Sequence, residues 1–179
     1  LNPQNADAFN NLGLVYRDLK KYKDEENCYK KALKINNKHA NAYYNLAVAN
    51  QVLGNIEQAI FLYNKAADCE PENLIHYYHL TDLNKEMLDD KLKSKINKVM
   101  LEKSCTKQSL AYGNFLMSRY EAQKNNYEKE FDFLKKGHQI FTESKQKEYE
   151  KGLELFTLGL EQSQKIEHKN LTGFGYFYV

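Results

Sequence analysis

The sequence predicts an all-α fold, a right-handed superhelical solenoid of antiparallel helix pairs with a long closing helix and a strand-like tail. The first observation behind this is a pattern written twice, 34 positions apart: Phe9 answers Tyr43, Leu12 answers Leu46, Gly13 answers Ala47, Leu19 answers Leu53, Tyr22 answers Ile56, Tyr29 answers Tyr63 and Ala32 answers Ala66. A fixed period of this length marks stacked helical units, each burying its apolar face only against its neighbours. The second is the spacing inside one copy, where Phe9, Leu12, Gly13 and Tyr16 fall at i, i+3, i+4 and i+7, one face of a helix. The third is composition: 14 Tyr and 9 Phe against 2 Pro suit a packed, mostly helical chain.

Residues 1–5 are expected to be the tail of a preceding repeat, with Pro3 two periods before Pro71, so that the chain begins inside a longer array. In 6–39 the Phe9–Tyr16 face makes the first helix, Lys20–Lys21 the break, and Tyr22, Glu26, Tyr29 and Leu33 mark the second helix. Gly13 and Ala32 are small where two helices must approach closely. In 40–73, Ala47 and Ala66 repeat the small residues, Gly54 supplies the break, Asn55 stands where a cap for the second helix is wanted, and Pro71 closes the copy. These residues closely resemble the tetratricopeptide repeat family over 6–73.

Residues 74–104 read as a degenerate helix pair. Tyr77 and Leu80 follow Tyr43 and Leu46 by one period, but Thr81 replaces the small residue and Asn84 the aromatic one. Asp89 or Asp90 starts a helix with Leu88, Leu92, Ile96, Val99 and Met100 on one side, and Lys91, Lys95 and Lys98 on a solvated side interleaved with acids. Residues 107–142 form a further repeat-like pair behind a longer spacer. Leu110, Met117 and Tyr120 face inward from a helix over 108–124, the Asn125–Asn126 pair ends it, and Tyr127, Phe131, Leu134, His138 and Phe141 make an amphipathic stripe. Gly137 takes the slot of Ala32 and Ala66. Residues 143–167, with Tyr149, Leu153, Phe156 and Leu160 on one face, read as the closing helix. The tail 168–179 turns aromatic and β-branched after Lys169–Asn170, which suggests a strand that must pair with something outside this chain.

The second half also resembles the helical region preceding the catalytic domain of bacterial proteins that join these repeats to a sulfotransferase. The residues that carry this are His76-Tyr-Tyr-His-Leu80, Leu88-Asp-Asp90, Asn126-Tyr-Glu-Lys-Glu-Phe131 and Lys136-Gly-His138, the last departing from the Gly–Asn pair typical of that family. The resemblance implies that Tyr176-Phe-Tyr-Val179 is the strand leading into a Gly-rich loop for the 5′-phosphosulfate donor, with the chain stopping where that loop would begin. Such a site needs helix N-terminal amides, a Lys or hydroxyl on the bridging oxygen and a general base. None of these can be assigned to residues present here. No catalytic residue, enzymatic activity or cofactor is therefore expected of this chain.

A net charge of +2 and a pI of about 8.3 argue against nucleic acid as a partner. No run approaches the roughly 18 apolar residues of a membrane span, and no charged-then-apolar leader opens the chain. Cys28, Cys69 and Cys105 are odd in number and lack a CxxC pairing, so reduced structural thiols in a cytoplasmic setting are expected. His76 and His79 stand at i, i+3 with Asp82 beyond, but no fourth ligand accompanies them. A polar helix face accounts for them, and no metal is predicted. His138 reads as a packed or rim histidine. Gly173-Phe-Gly175 lacks the third glycine of a dinucleotide fingerprint.

Binding is the stronger expectation. In arrays of this kind the first helices line a concave groove where extended peptides or partner helices lie. The outward positions of those helices are Asp7, Asn10, Asn11, Leu14, Arg17 and Asp18, then Asn41, Tyr44, Asn45, Val48 and Gln51, then Ile75, Tyr78, His79 and Asp82. Asn can hydrogen-bond a peptide backbone in both senses, and Tyr supplies flat contact area at low entropic cost. Equally, Asn11 and Asn45 can bridge neighbouring helices. Asn10, Leu14 and Ile75 occupy places where the clamp for chaperone C-terminal tails has basic or amide groups, which argues against such tails. The expected partner is thus a protein or peptide, with end-to-end self-association through cut repeat ends as a further expectation.

Overall fold

The computed structural model describes residues 4–146 and 150–151. Among them the chain is helical throughout: α1 (Ala6–Asp18), α2 (Tyr22–Ile35), α3 (Ala40–Val52), α4 (Ile56–Cys69), α5 (Leu74–Leu83), a 3-10 turn (Lys85–Met87), α6 (Asp90–Leu101), α7 (Lys107–Gln123) and α8 (127–146). They form a solenoid of helix pairs. α1 packs on α2 and α3 on α4, while α2 meets α3 and α4 meets α5, so each second helix is covered by the next first helix.

The 34-residue phase is visible in the helix ends. Asn5, His39 and Asn73 are the N-caps of α1, α3 and α5; their side chains accept from the amides of Ala8, Ala42 and Ile75 at 3.0, 3.2 and 3.4 Å. At the other ends, the amides of Lys20 and Lys21 bond the carbonyls of Arg17 and Tyr16. Those of Gly54 and Asn55 repeat this on Gln51 and Asn50, and those of Asn125 and Asn126 on Ala122 and Glu121. Each is a Schellman closure with a left-handed residue at its pivot, φ 57° at Lys20, 80° at Gly54 and 58° at Asn125. The third unit has no such closure. α5 stops after 10 residues at Asn84, whose side chain accepts from the Glu86 amide as the 3-10 turn begins. Asp89 then caps α6 through the Leu92 amide at 2.7 Å.

The connection before the last pair, 102–106, is only slightly longer than 36–39 and 70–73, and the larger change is within the pair. α7 has 17 residues against 13 in α1 and α3, about one extra turn. One apolar cluster joins Tyr29, Leu46, Ala47, Ala59, Leu62, Tyr63 and Leu80; a second joins Ala67, Leu74, Tyr77, Leu88, Ile96, Val99, Leu116, Met117 and Tyr120. Ile96 and Val99 are buried on the side of α6 that the sequence marks as apolar, and Leu88, just before the helix, is buried beside them in the same cluster.

Three local expectations differ from what is observed. Asn55 makes no capping bond to α4; it donates to the Asn50 side chain at 3.3 Å, because the Schellman turn already orients it back along α3. Tyr127 and Phe131 remain 68% and 65% exposed and Leu134 39%. α8 instead turns Phe133 and Gly137 inward, with Gly137 lying so close to the Phe115 ring that a Cβ would meet it at 2.5 Å. His76 is not on a polar face: it is 1% exposed. The expected strand over 168–179 and the Leu153, Phe156 and Leu160 face of the closing helix lie outside the described residues.

Candidate functional site

The first helices α1, α3, α5 and α7 stand side by side, and their shared face carries the residues singled out by the repeat phase. Asn10 and Asn45 are 6% and 7% exposed, and the Asn45 amide donates to the Asn10 side-chain oxygen at 2.9 Å. The interhelix bridge is therefore Asn10–Asn45, and both side chains are committed to it. Asn11 and Asn41 are exposed; Leu14, Arg17 and Val48 are half-buried, Leu14 and Val48 packing against the first apolar cluster. Gln51 accepts a 2.8 Å hydrogen bond from the Tyr63 hydroxyl. Asp7, at the rim, bonds the ring of His39 at 3.0 Å.

From Tyr63 onward the face becomes aromatic. Tyr63 stacks on His79 with centroids 5.5 Å apart and planes 12° from parallel. The Tyr44 hydroxyl lies 3.1 Å from Nε2 of His79, and the Tyr44 ring also contacts His76 at 5.6 Å. Tyr78 meets His79 edge-on at 5.5 Å and touches Tyr112 at 5.1 Å, which in turn contacts Phe115 and Phe141 at 6.0 and 6.2 Å. His138 is an exposed rim residue at 5.0 Å from Phe115. The result is a continuous row of rings spanning α3, α5, α7 and α8.

The electrostatics of the row are quiet. Burial pushes the Tyr44 hydroxyl up to about 12 and also raises Tyr63, so both stay protonated donors. Burial holds His79 and His76 below the ordinary imidazole value, against the opposing pull of Asp82 and Glu70 respectively. Both rings are thus neutral near pH 7, and neither nitrogen of His76 has a hydrogen-bond partner, the Glu70 carboxylate standing 3.6 Å away. Arg119 of α7 places its guanidinium carbon 3.8 Å from the centre of the Tyr78 ring, donates to the Tyr78 carbonyl at 2.8 Å and pairs with Asp82 at 3.1 Å. A cleft of about 340 Å³ opens beside it, lined by Thr81, Asp82, Lys85, Leu88, Arg119, Ala122 and Gln123.

The structure brings Tyr44, Tyr78, His79 and Asp82 together and takes Asn10 and Asn45 out of play as free contacts. Sequence reasoning missed Tyr63, Tyr112, Phe115 and Arg119. Tyr112 had a signal, since it follows Tyr78 by the same 34 positions that separate Tyr78 from Tyr44. Among the described residues no group of three His, Cys, Asp or Glu is placed to hold a metal, and no helix is long and apolar enough to cross a membrane. The three cysteines are free thiols.

Comparison with known proteins agrees with this architecture. Residues 6–39 and residues 28–61 each match a family model for the tetratricopeptide repeat. Among solved structures, MamA is similar at 20% identity over 81% of this chain and 83% of that one, with a TM-score of 0.56. A second MamA structure is similar at 23% identity over 83% and 78%, with a TM-score of 0.54. BtubC from P. vanneervenii is similar at 16% identity over 78% of this chain and 64% of that one, with a TM-score of 0.56. At these identities the likeness is one of fold. No curated protein sequence matches the chain.

Proposed function

We propose that this solenoid of tetratricopeptide repeats is a protein-interaction scaffold that holds a segment of a partner protein along its concave face of first helices. The observation that carries this reading is the unbroken row of half-buried rings from Tyr44 through Tyr78 and Tyr112 to Phe141. Contiguous apolar surface left accessible on a soluble fold marks an interaction site, and tyrosine contributes contact area with few rotors to freeze. No reaction is assigned to the chain, and the setting we propose is the cytoplasm, where Cys28, Cys69 and Cys105 stay reduced. The alternative, a helical arm of a phosphosulfate-dependent sulfotransferase, rests on the sequence resemblance of 74–179 alone.

The test is to select binders from a displayed random peptide library and measure them against Tyr78→Ser and Tyr112→Ser. We expect at least tenfold weaker binding in either variant, measured at a temperature where circular dichroism shows the variant folded, because both rings also pack against the second apolar cluster. Selected peptides that bind both variants as tightly as the parent would place the interaction elsewhere and sink the groove reading.

A further inference from the structure

One charged group sets the α1 end of the groove apart and names a chemistry for the bound segment, an inference that rests on the interaction role just proposed. At the groove position where the second copy has Gln51, the first has Arg17. Gln51 is consumed by the fold, since it accepts from the Tyr63 hydroxyl at 2.8 Å. Arg17 is half-buried, and its side chain makes no ion pair or hydrogen bond among the described residues. The Tyr29 hydroxyl and one Glu25 oxygen are buried without partners, so the guanidinium has not been drawn inward to satisfy them. Its charge is felt there all the same. Burial raises the Glu25 carboxyl and the hydroxyls of Tyr29 and Tyr44, and Arg17 opposes the rise in each.

The acids of this face are engaged elsewhere. Asp7 bonds the His39 ring, and Asp82 pairs with Arg119. Asp18, the next residue, forms no ion pair with Arg17. At the α8 end Lys145 acts on the Tyr112 hydroxyl, opposing the effect of its burial, so positive charge reaches groove tyrosines from both ends. Leu14, one turn before Arg17, and Val48, its counterpart in the next repeat, are half-buried members of the first apolar cluster. A charge-assisted bond formed against such a surface is screened less than one in open water.

We propose that Arg17 anchors an aspartate or glutamate side chain of the bound segment, with a neighbouring apolar residue of that segment resting on Leu14, Val48 and Tyr44. A planar guanidinium offers donors in a fork that matches a carboxylate, and a half-buried one has already lost part of its hydration. Arg17 stands apart from Asn10, Leu14 and Ile75, the positions that would serve a chaperone C-terminal tail. The group it recognises is therefore a side chain within the segment.

The test titrates the full chain into three rhodamine-labelled Leu/Ser peptides with blocked ends, differing only in a central Asp, Asn or Lys, and follows anisotropy. We expect the Asp peptide to bind about tenfold more tightly than the Asn peptide, the worth of one charge-assisted hydrogen bond at a half-accessible site. The Lys peptide should bind most weakly, and added salt should shrink the Asp preference. Arg17→Gln, which copies Gln51 of the second repeat, should erase that preference and leave the Asn peptide unchanged, while Arg17→Lys should keep part of it. Circular dichroism melts of each variant report the fold independently. Equal binding of the Asp and Asn peptides, or an Asp preference that survives Arg17→Gln, overturns the inference. In either case a loss of binding in Tyr78→Ser leaves the scaffold role standing. Binding of none of the three overturns the acidic assignment, and the displayed library then decides the scaffold role separately.

Discussion

In the first helix pair Gly13 lies beneath the Tyr29 ring, so close that a Cβ on it would stand 2.3 Å from the ring edge. In the second pair Ala47 occupies the same repeat position in one cluster with Tyr63, both fully buried. The polar surroundings of the two tyrosines differ as well. Tyr63 donates to Gln51, and Ala59 packs nearby. One period earlier those places hold Arg17 and Glu25, and there the Tyr29 hydroxyl and one Glu25 oxygen are buried without a well-formed hydrogen bond. The same backbone pattern thus accommodates a tidy apolar solution and a strained polar one. The difference teaches that volume complementarity between small and aromatic positions fixes the packing of a repeat, while polar detail around it is settled one pair at a time.

The largest expected effect tests that complementarity directly. Gly13→Ala restores the residue of the second copy but overfills the first, and we expect it to lower stability by about 2–3 kcal/mol in urea denaturation. An unchanged midpoint would mean that the Tyr29 ring slides freely, and the contrast between the pairs would collapse.

Glu25→Gln comes next, with a gain of about 1–2 kcal/mol at pH 7 from removing a buried, poorly paired charge. Burial is the main cause that raises the Glu25 carboxyl above its ordinary 4.5, with Arg17 and Tyr29 opposing it. The folded state then holds the proton more tightly than the unfolded chain. Its stabilising contribution is full below pH 4.5 and is lost as pH rises through the raised value. The variant should flatten that decline, and denaturation midpoints compared between pH 4 and pH 8 read it.

Lys20→Gly should add about 1 kcal/mol, since Lys20 holds φ 57° where the second copy has Gly54 at 80°. Gly54→Lys should cost a similar amount. Equal melting temperatures for the two variants and the parent would show that these left-handed pivots carry no strain.

A smaller, pH-dependent effect belongs to the junction between α4 and α5. His76 is held below its ordinary 6.5 chiefly by burial, with Glu70 opposing and His79 adding to the depression. The unfolded chain therefore binds the proton more readily, and stability should fall as pH drops below 6.5. His76→Phe should reduce that acid sensitivity; a melting profile that keeps the full pH dependence in the variant would assign it elsewhere.

Much of the architecture was legible before folding. Phe9 against Tyr43 and Ala32 against Ala66 announced the period, whereas the caps Asn5, His39 and Asn73 emerge only in the structure, at one shared phase, His39 being no usual N-cap residue. The groove was only partly legible. Asn10 and Asn45 looked outward by helical spacing, yet a neighbouring helix one repeat away turns them toward each other. Tyr112 kept the 34-residue tyrosine phase, because the extra turn of α7 is added beyond it, toward Gln123, so its signal was present and went unread.

The sequence by itself determined the helices, their breaks and their stacking, because a repeated pattern of small and large residues has one efficient way to bury its apolar faces. Only tertiary structure decided which polar groups face the groove and which are consumed between helices. It also decided that α8 presents Tyr127 and Phe131 outward, and that Arg119 covers Tyr78. Those outcomes depend on contacts 35 to 41 residues apart, such as Tyr44 with His79 and Arg119 with the Tyr78 carbonyl. Helical periodicity names the face a residue occupies, but the partner across the interface is fixed only when the helices dock.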